Sequence, residues 1–259
     1  FGLIGRMVDA VEAKEAKRAW DRVASIERAK ADLLRTFVDD NVYWNAMATF
    51  VESGDPAFRR ETFDVWFLDN SDTDGVLVLS PRGQVLVAGL AERAAEGFGD
   101  AALAEPAFEG ATGLVGMAPG LIERLRRLPK AAIVRDSGDT GVTWVEHDGR
   151  WIQVAIGAVG YRGQPPNGAL MMVLRSIDRD RLVARAIEAQ VEYRIVAFDT
   201  DRPAIEAQDD AALLAVPIDD PILGTEVMAV ARQPYELSGL LGQVQVVTVV
   251  QQTLLLAAL

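Results

Sequence analysis

The chain opens with one sustained helical pattern. Apolar positions recur in steps of three and four over residues 4–51: Ile4, Val8 and Val11, then Trp20, Val23 and Ile26, then Leu33 and Phe37. Proline is missing from residues 1–51, glycine there is confined to Gly2 and Gly5, and Glu, Lys and Arg fill the other faces. A helix of that length would reach about 70 Å, longer than a small domain is wide. Its first half is therefore expected to need a partner, most simply the same helix of a second subunit. Ser53-Gly54-Asp55-Pro56 supplies the stop.

A second helical segment, 58–68, carries Phe63, Trp66 and Phe67. The helical periodicity then ends. Residues 76–79 and 84–87 are apolar runs joined by Ser80-Pro81-Arg82-Gly83, a hairpin signal. After Gly- and Ala-rich stretches and a helix at 118–128 come three more strands, at 142–146, 151–159 and 169–174. His147-Asp148-Gly149-Arg150 joins the first two, its Asp-Gly pair favouring a tight turn, and His147 beside it is expected to be exposed. This order predicts a five-stranded antiparallel sheet with helices on one side. From residue 175 the pattern resumes in miniature: a helix at 180–189 and strands at 193–198, 211–216 and 226–231. The fold class is thus α+β, a long helix followed by a larger sheet lobe and a smaller α/β lobe. The expected division is a signalling and dimerisation helix at 1–52, lobes at 53–176 and 177–235, and a C-terminal helix at 236–259.

Composition narrows the chemistry. A net charge of −12 over 259 residues argues against a nucleic-acid partner. The Arg124, Arg126 and Arg127 cluster reads as one solvated helix face. With one histidine and no cysteine, thiolate sites, multi-histidine metal sites and most Ser-His or Cys-His catalysis are excluded. No cofactor or metal is expected. The chain opens on Phe1, as expected of a segment excised from a longer protein. Residues 240–259 carry no charge but are interrupted by Gln243, Gln245, Gln251 and Gln252. They read equally as a helix approaching a membrane or as a buried or dimerising C-terminal helix.

Three stretches together resemble a known family. They are Asp39-Asp40-Asn41-Val42-Tyr43-Trp44-Asn45, the segment 58–67, and the hairpin 74–85. These resemble the acidic and aromatic helix motif, connecting helix and first hairpin of CHASE4 extracytoplasmic sensor domains, which have a PAS-like or Cache-like architecture. Trp44 matches the family's tryptophan, whereas Asn45 stands where an acid is common. The run 224–235 is similar to the family's terminal strand. The resemblance implies a periplasmic portion of an inner-membrane receptor with a membrane-proximal smaller lobe. It also implies a small-molecule ligand, and control of a cytoplasmic cyclic-di-GMP synthase or phosphodiesterase, or of a kinase.

The candidate ligand-binding residues are Asn41, Tyr43, Trp44, Trp66, Trp144 and Trp151. Tyr43 and Trp44, about 100° apart on a helix, cannot share a face; each could equally be an ordinary core aromatic. Trp144 and Trp151 flank the Asp148-Gly149 turn as a cross-strand pair or a pocket rim. Arg135 or Arg150 could anchor an anionic ligand. Asp39 and Asp40 could be read as catalytic carboxylates, but they diverge on the helix and have no evident nucleophile or metal beside them. A ligand-independent module for dimerisation or partner binding is the remaining alternative.

Overall fold

The computed structural model describes residues 2–208 and 210–235. The expected helix at 236–259, with its apolar tail, lies outside these residues. The chain forms two compact units: residues 27–181 with 219–226 make the larger, and the stretches up to Ile26, Leu182–Ile218 and from Val227 onward make the smaller.

The first helix, α1 (Gly2–Val42), buries a stripe that shares Val23 with the expected apolar positions and otherwise differs from them. Ala16, Ala19, Val23, Ala31, Leu34, Val38 and Val42 are buried, and Glu27 lies on the same stripe. Their spacing of three, four or eight keeps them on one face, while Leu33 is 66% exposed. The expected helix over 4–51 is broken. It stops at Val42, whose carbonyl accepts the Gly160 N–H at 3.1 Å, and α2 (Asn45–Ser53) starts after Trp44. Gly54, in the left-handed region at φ +68°, ends α2. Two short helices follow, α3 (Pro56–Thr62) and α4 (Val65–Asp69), capped by the side chains of Asp55 and Asp64. Phe50, Phe58, Phe63 and Phe67 pack along this path, Phe50 stacked on Phe58 and Phe63 edge-to-face with Phe58 and Phe67.

The larger unit's sheet has seven strands: β1 (Gly75–Leu79), β2 (Val85–Ala91), β3 (Ala102–Pro106), β4 (Leu114–Met117), β5 (Thr140–His147), β6 (Arg150–Ala158) and β7 (Leu170–Ser176). Their order is β3-β4-β2-β1-β7-β6-β5, with every described pairing antiparallel. The five-strand expectation missed β3 and β4. Helices cover both faces rather than one. Val76, Val78, Met171 and Val173 pack with Leu34, Val38, Met47 and Phe63. The alternate residues Leu77, Leu79, Met172 and Leu174 pack with three helices on the other side: α5 (Ala95–Phe98), α6 (Pro119–Arg126) and α7 (Pro129–Ser137). A strand buried on both faces is apolar throughout, which is why 76–79 does not alternate. At Gly157 the helix comes so close that an added Cβ would lie 2.5 Å from Val38.

Two details fix the sheet's ends. Asp74, 1% exposed, receives Arg93 Nη1 at 3.1 Å, Arg181 Nη2 at 3.0 Å and the Ser176 N–H at 2.8 Å. Burial opposes the charge of Arg181, but hydrogen bonding to Asp74 and the charges of Asp74 and Asp72 outweigh it and raise its pKa. At the β5 edge, two amides donate to side chains: Val142 N–H to Asp220 Oδ2 at 2.8 Å and Trp144 N–H to Glu226 Oε2 at 3.2 Å. His147 is half-buried, with Nε2 3.3 Å from Asp148 Oδ2.

The smaller unit contains the first part of α1, most of α8 (Arg179–Ala189), the strands β8 (Glu192–Ala197) and β9 (Ile205–Ala207), and most of β10 (Ala211–Asp220) and β11 (Gly224–Pro234). Their order is β8-β11-β10-β9. Trp20 Nε1 donates to the Ala215 carbonyl and Arg22 Nε to that of Ala189, each at 3.2 Å.

Candidate functional site

The break between α1 and α2 opens a cleft. Asp39 and Asp40 come from the last turn of α1 and Tyr43 from the break itself. Asp139 comes from the turn between α7 and β5, and Arg162 and Gly163 from the loop after β6. The cleft is open to solvent, with a volume of about 600 Å³. Its walls are held by main-chain contacts: Gly160 N–H on the Val42 carbonyl, Gln164 N–H on that of Tyr161, and Asn167 N–H on that of Val159. Gly138 ends α7 in the left-handed region at φ +76°, and an added Cβ there would lie 2.8 Å from Pro166. Only glycine allows the α7 turn and the loop to approach so closely.

Tyr43 is fixed by one hydrogen bond, its hydroxyl donating to the Gly138 carbonyl at 2.8 Å. Burial first, and then the charges of Asp39 and Asp139, raise its pKa above 10.0. The phenol is therefore a neutral donor over the ordinary pH range. Three carboxylates face one guanidinium, and among the described residues none of the four forms an ion pair. The wall is therefore anionic, with an aromatic ring beside it. Among the described residues no group of three or more His, Asp or Glu is arranged to hold a metal ion.

Of the six residues singled out in the sequence, Tyr43 lines this cleft. Asn41 donates its side-chain amide to the Phe37 carbonyl at 2.8 Å, one turn back along its own helix. Trp44 is 45% exposed, its ring 5.3 Å from that of Phe58. Trp66 is 68% exposed on α4. Trp144 is buried on β5 opposite Gln153, and Trp151 stands opposite Glu146, so the two tryptophans are diagonal rather than facing. Asp39 and Asp40 both reach the cleft despite their divergence along the helix. Arg150 lines a separate surface cleft with Arg93 and Arg179. Sequence reasoning missed Asp139 and Arg162. The available signals were the Gly138-Asp139 helix stop and the glycine-rich loop 162–168.

With this geometry in view, comparison with known families matches the CHASE4 domain over residues 28–193. The chain belongs to the CHASE4 family. Among solved structures, this CHASE4 chain is similar to the extracellular domain of the histidine kinase vpHK1S-Z8. The TM-score is 0.50 and the identity 8%, covering 86% of this chain and 92% of that one. It is equally similar to a domain of a sensory box/GGDEF family protein from Vibrio parahaemolyticus, at TM-score 0.50 and 8% identity, covering 86% and 97%. The ligand-binding domain of the Pseudomonas fluorescens chemoreceptor CtaA, in complex with L-alanine, aligns at TM-score 0.47 and 10% identity, covering 89% and 98%. No curated protein matches the chain. The CHASE4 match spans all the elements that build the cleft, and among the described residues no helix is long and apolar enough to cross a membrane.

Proposed function

We propose that this CHASE4 chain is the non-catalytic, ligand-sensing portion of a bacterial transmembrane receptor, facing the periplasm, and that the cleft at the α1–α2 break receives a small organic cation. The observation that carries this reading is the charge imbalance around an anchored ring. Three unpaired carboxylates outnumber Arg162 beside Tyr43, whose phenol is tied to the Gly138 carbonyl. An ammonium group there gains from the carboxylates and from the aromatic face, whereas a carboxylate ligand meets repulsion. Occupancy bears directly on the end of α1, so a ligand that prefers one arrangement of that corner biases the helix. Two copies of α1 would carry the change onward as a shear or piston motion. Met7 and Val11, four residues apart and 63% and 43% exposed, support pairing of α1 between subunits. The attached output would be a cyclic-di-GMP enzyme or a kinase, as the family resemblance implies.

The test is a thermal-shift series on the 259-residue chain with primary amines, amino acids and dicarboxylates, because a ligand bound only to the folded state raises Tm. Amines should raise Tm in a saturable way, and Asp39→Asn with Asp139→Asn should abolish the rise. No response to any cation, or an unchanged response in the double variant, would remove this reading. The exposed Trp66 favours a second one, a surface for a periplasmic protein partner. Sedimentation of the chain with periplasmic extract, compared with its Trp66→Ala variant, separates the two.

A further inference from the structure

A second groove, independent of the cleft at Tyr43, lies wholly within the smaller unit. It is lined by Glu192, Tyr193 and Arg194 of β8, Leu213 of β10, and Val230 and Arg232 of β11, and measures about 280 Å³. Strand register explains its chemistry. Val230 stands opposite Arg194, and Arg232 opposite Glu192, so the two arginines are diagonal neighbours on one face of the sheet. Diagonal cross-strand neighbours are close enough for long side chains to converge. Between them the floor is apolar. Val230, Met228 and Ala215 are buried on this face, with Val196 packed against them.

The two guanidinium groups are not equivalent. Arg232 is already balanced by Asp210 at 2.5 Å, with Glu192 at 3.9 Å. The Arg194 side chain is exposed and, among the described residues, has no ion pair or hydrogen bond. In a chain of net charge −12, an unpaired arginine beside an apolar floor is a specific feature rather than part of a general basic surface. The volume falls just below the range of drug-sized pockets and suits a ligand of a few heavy atoms.

We propose that this groove binds a short-chain monocarboxylate, with its carboxylate on Arg194 and its alkyl tail on Leu213 and Val230. A guanidinium fork matches the two oxygens of a carboxylate, and a tail over the apolar floor removes further hydrocarbon from water. A bare inorganic anion would leave that floor uncovered, and an alkylammonium ion would meet like charge. The smaller unit would then respond to an acid while the larger responds to a cation.

Amide NMR titration of the 259-residue chain with acetate, butanoate, butylammonium and butanol, at fixed ionic strength, tests this. Butanoate should move the amides of β8, β10 and β11 and saturate, whereas butylammonium and butanol should leave them unmoved. Each methylene that reaches the floor should tighten binding about fourfold. Arg194→Gln, at an exposed position, should weaken butanoate binding about tenfold or more, with Arg194→Lys intermediate. Asp39→Asn should leave it unchanged, which separates failure here from failure of the cation site. Non-saturating shifts, shifts that map to other elements, or equal binding by Arg194→Gln would each overturn the proposal.

Discussion

Tyr43 ties the α1–α2 break to the end of α7. Its hydroxyl donates to the Gly138 carbonyl, and its ring lines the cleft. Tyr43→Phe should cost about 1 kcal/mol in urea unfolding at neutral pH, the net contribution of one hydrogen bond. Its pH dependence has a definite sign. The folded state raises the phenol's pKa above 10.0, by burial first and then by the charges of Asp39 and Asp139. The stabilisation is therefore fully present below pH 10 and is lost as pH rises toward the raised value. The gap between the parent chain and Tyr43→Phe should close in alkaline solution. Tyr235, whose pKa is also raised, is present in both chains and cancels from the comparison.

The glycine that receives this bond belongs to an element rather than to a side chain. Gly138→Ala would place a Cβ 2.8 Å from Pro166 and force a left-handed backbone on alanine. A loss of about 2 kcal/mol is expected in thermal or urea unfolding, together with loss of the amine response. Other elements were legible in the sequence to differing degrees. The β1–β2 and β5–β6 hairpins were readable from their turns, and α8 from its periodicity. The break after Val42 was not, because apolar residues continue through it and the interruption comes from Gly160, more than a hundred positions away. β3 and β4 were missed for a different reason: they are short, and most of β3 is exposed. The site was half legible for the same cause. Asp39, Asp40 and Tyr43 are neighbours in sequence, whereas Asp139 and Arg162 join them only through folding. The edge of β5 offers another measurable element. Glu226→Ala removes the acceptor for the Trp144 amide, so hydrogen exchange at that amide should accelerate about tenfold or more while central β7 stays protected.

The molecule as a whole is threaded so that the chain passes between its two units four times, at Ile26–Glu27, Arg181–Leu182, Ile218–Asp219 and Glu226–Val227. No single cut separates them into contiguous pieces. CHASE4 membership accounts for the fold over residues 28–193, yet two carboxylates on which the larger unit depends, Asp220 and Glu226, lie beyond that span. A protein shortened to end at Arg181 would thus keep every strand of the seven-stranded sheet while uncovering the outward amides of Val142 and Trp144. Bare strand borders template pairing with other chains. Such a shortened protein should form growing particles in light scattering where the full chain does not. A synthetic peptide spanning 217–228 should suppress them, and the same peptide carrying D220N and E226Q should not. The tip of a late hairpin thereby acts as a guard against self-templated stacking, as well as a turn between two strands.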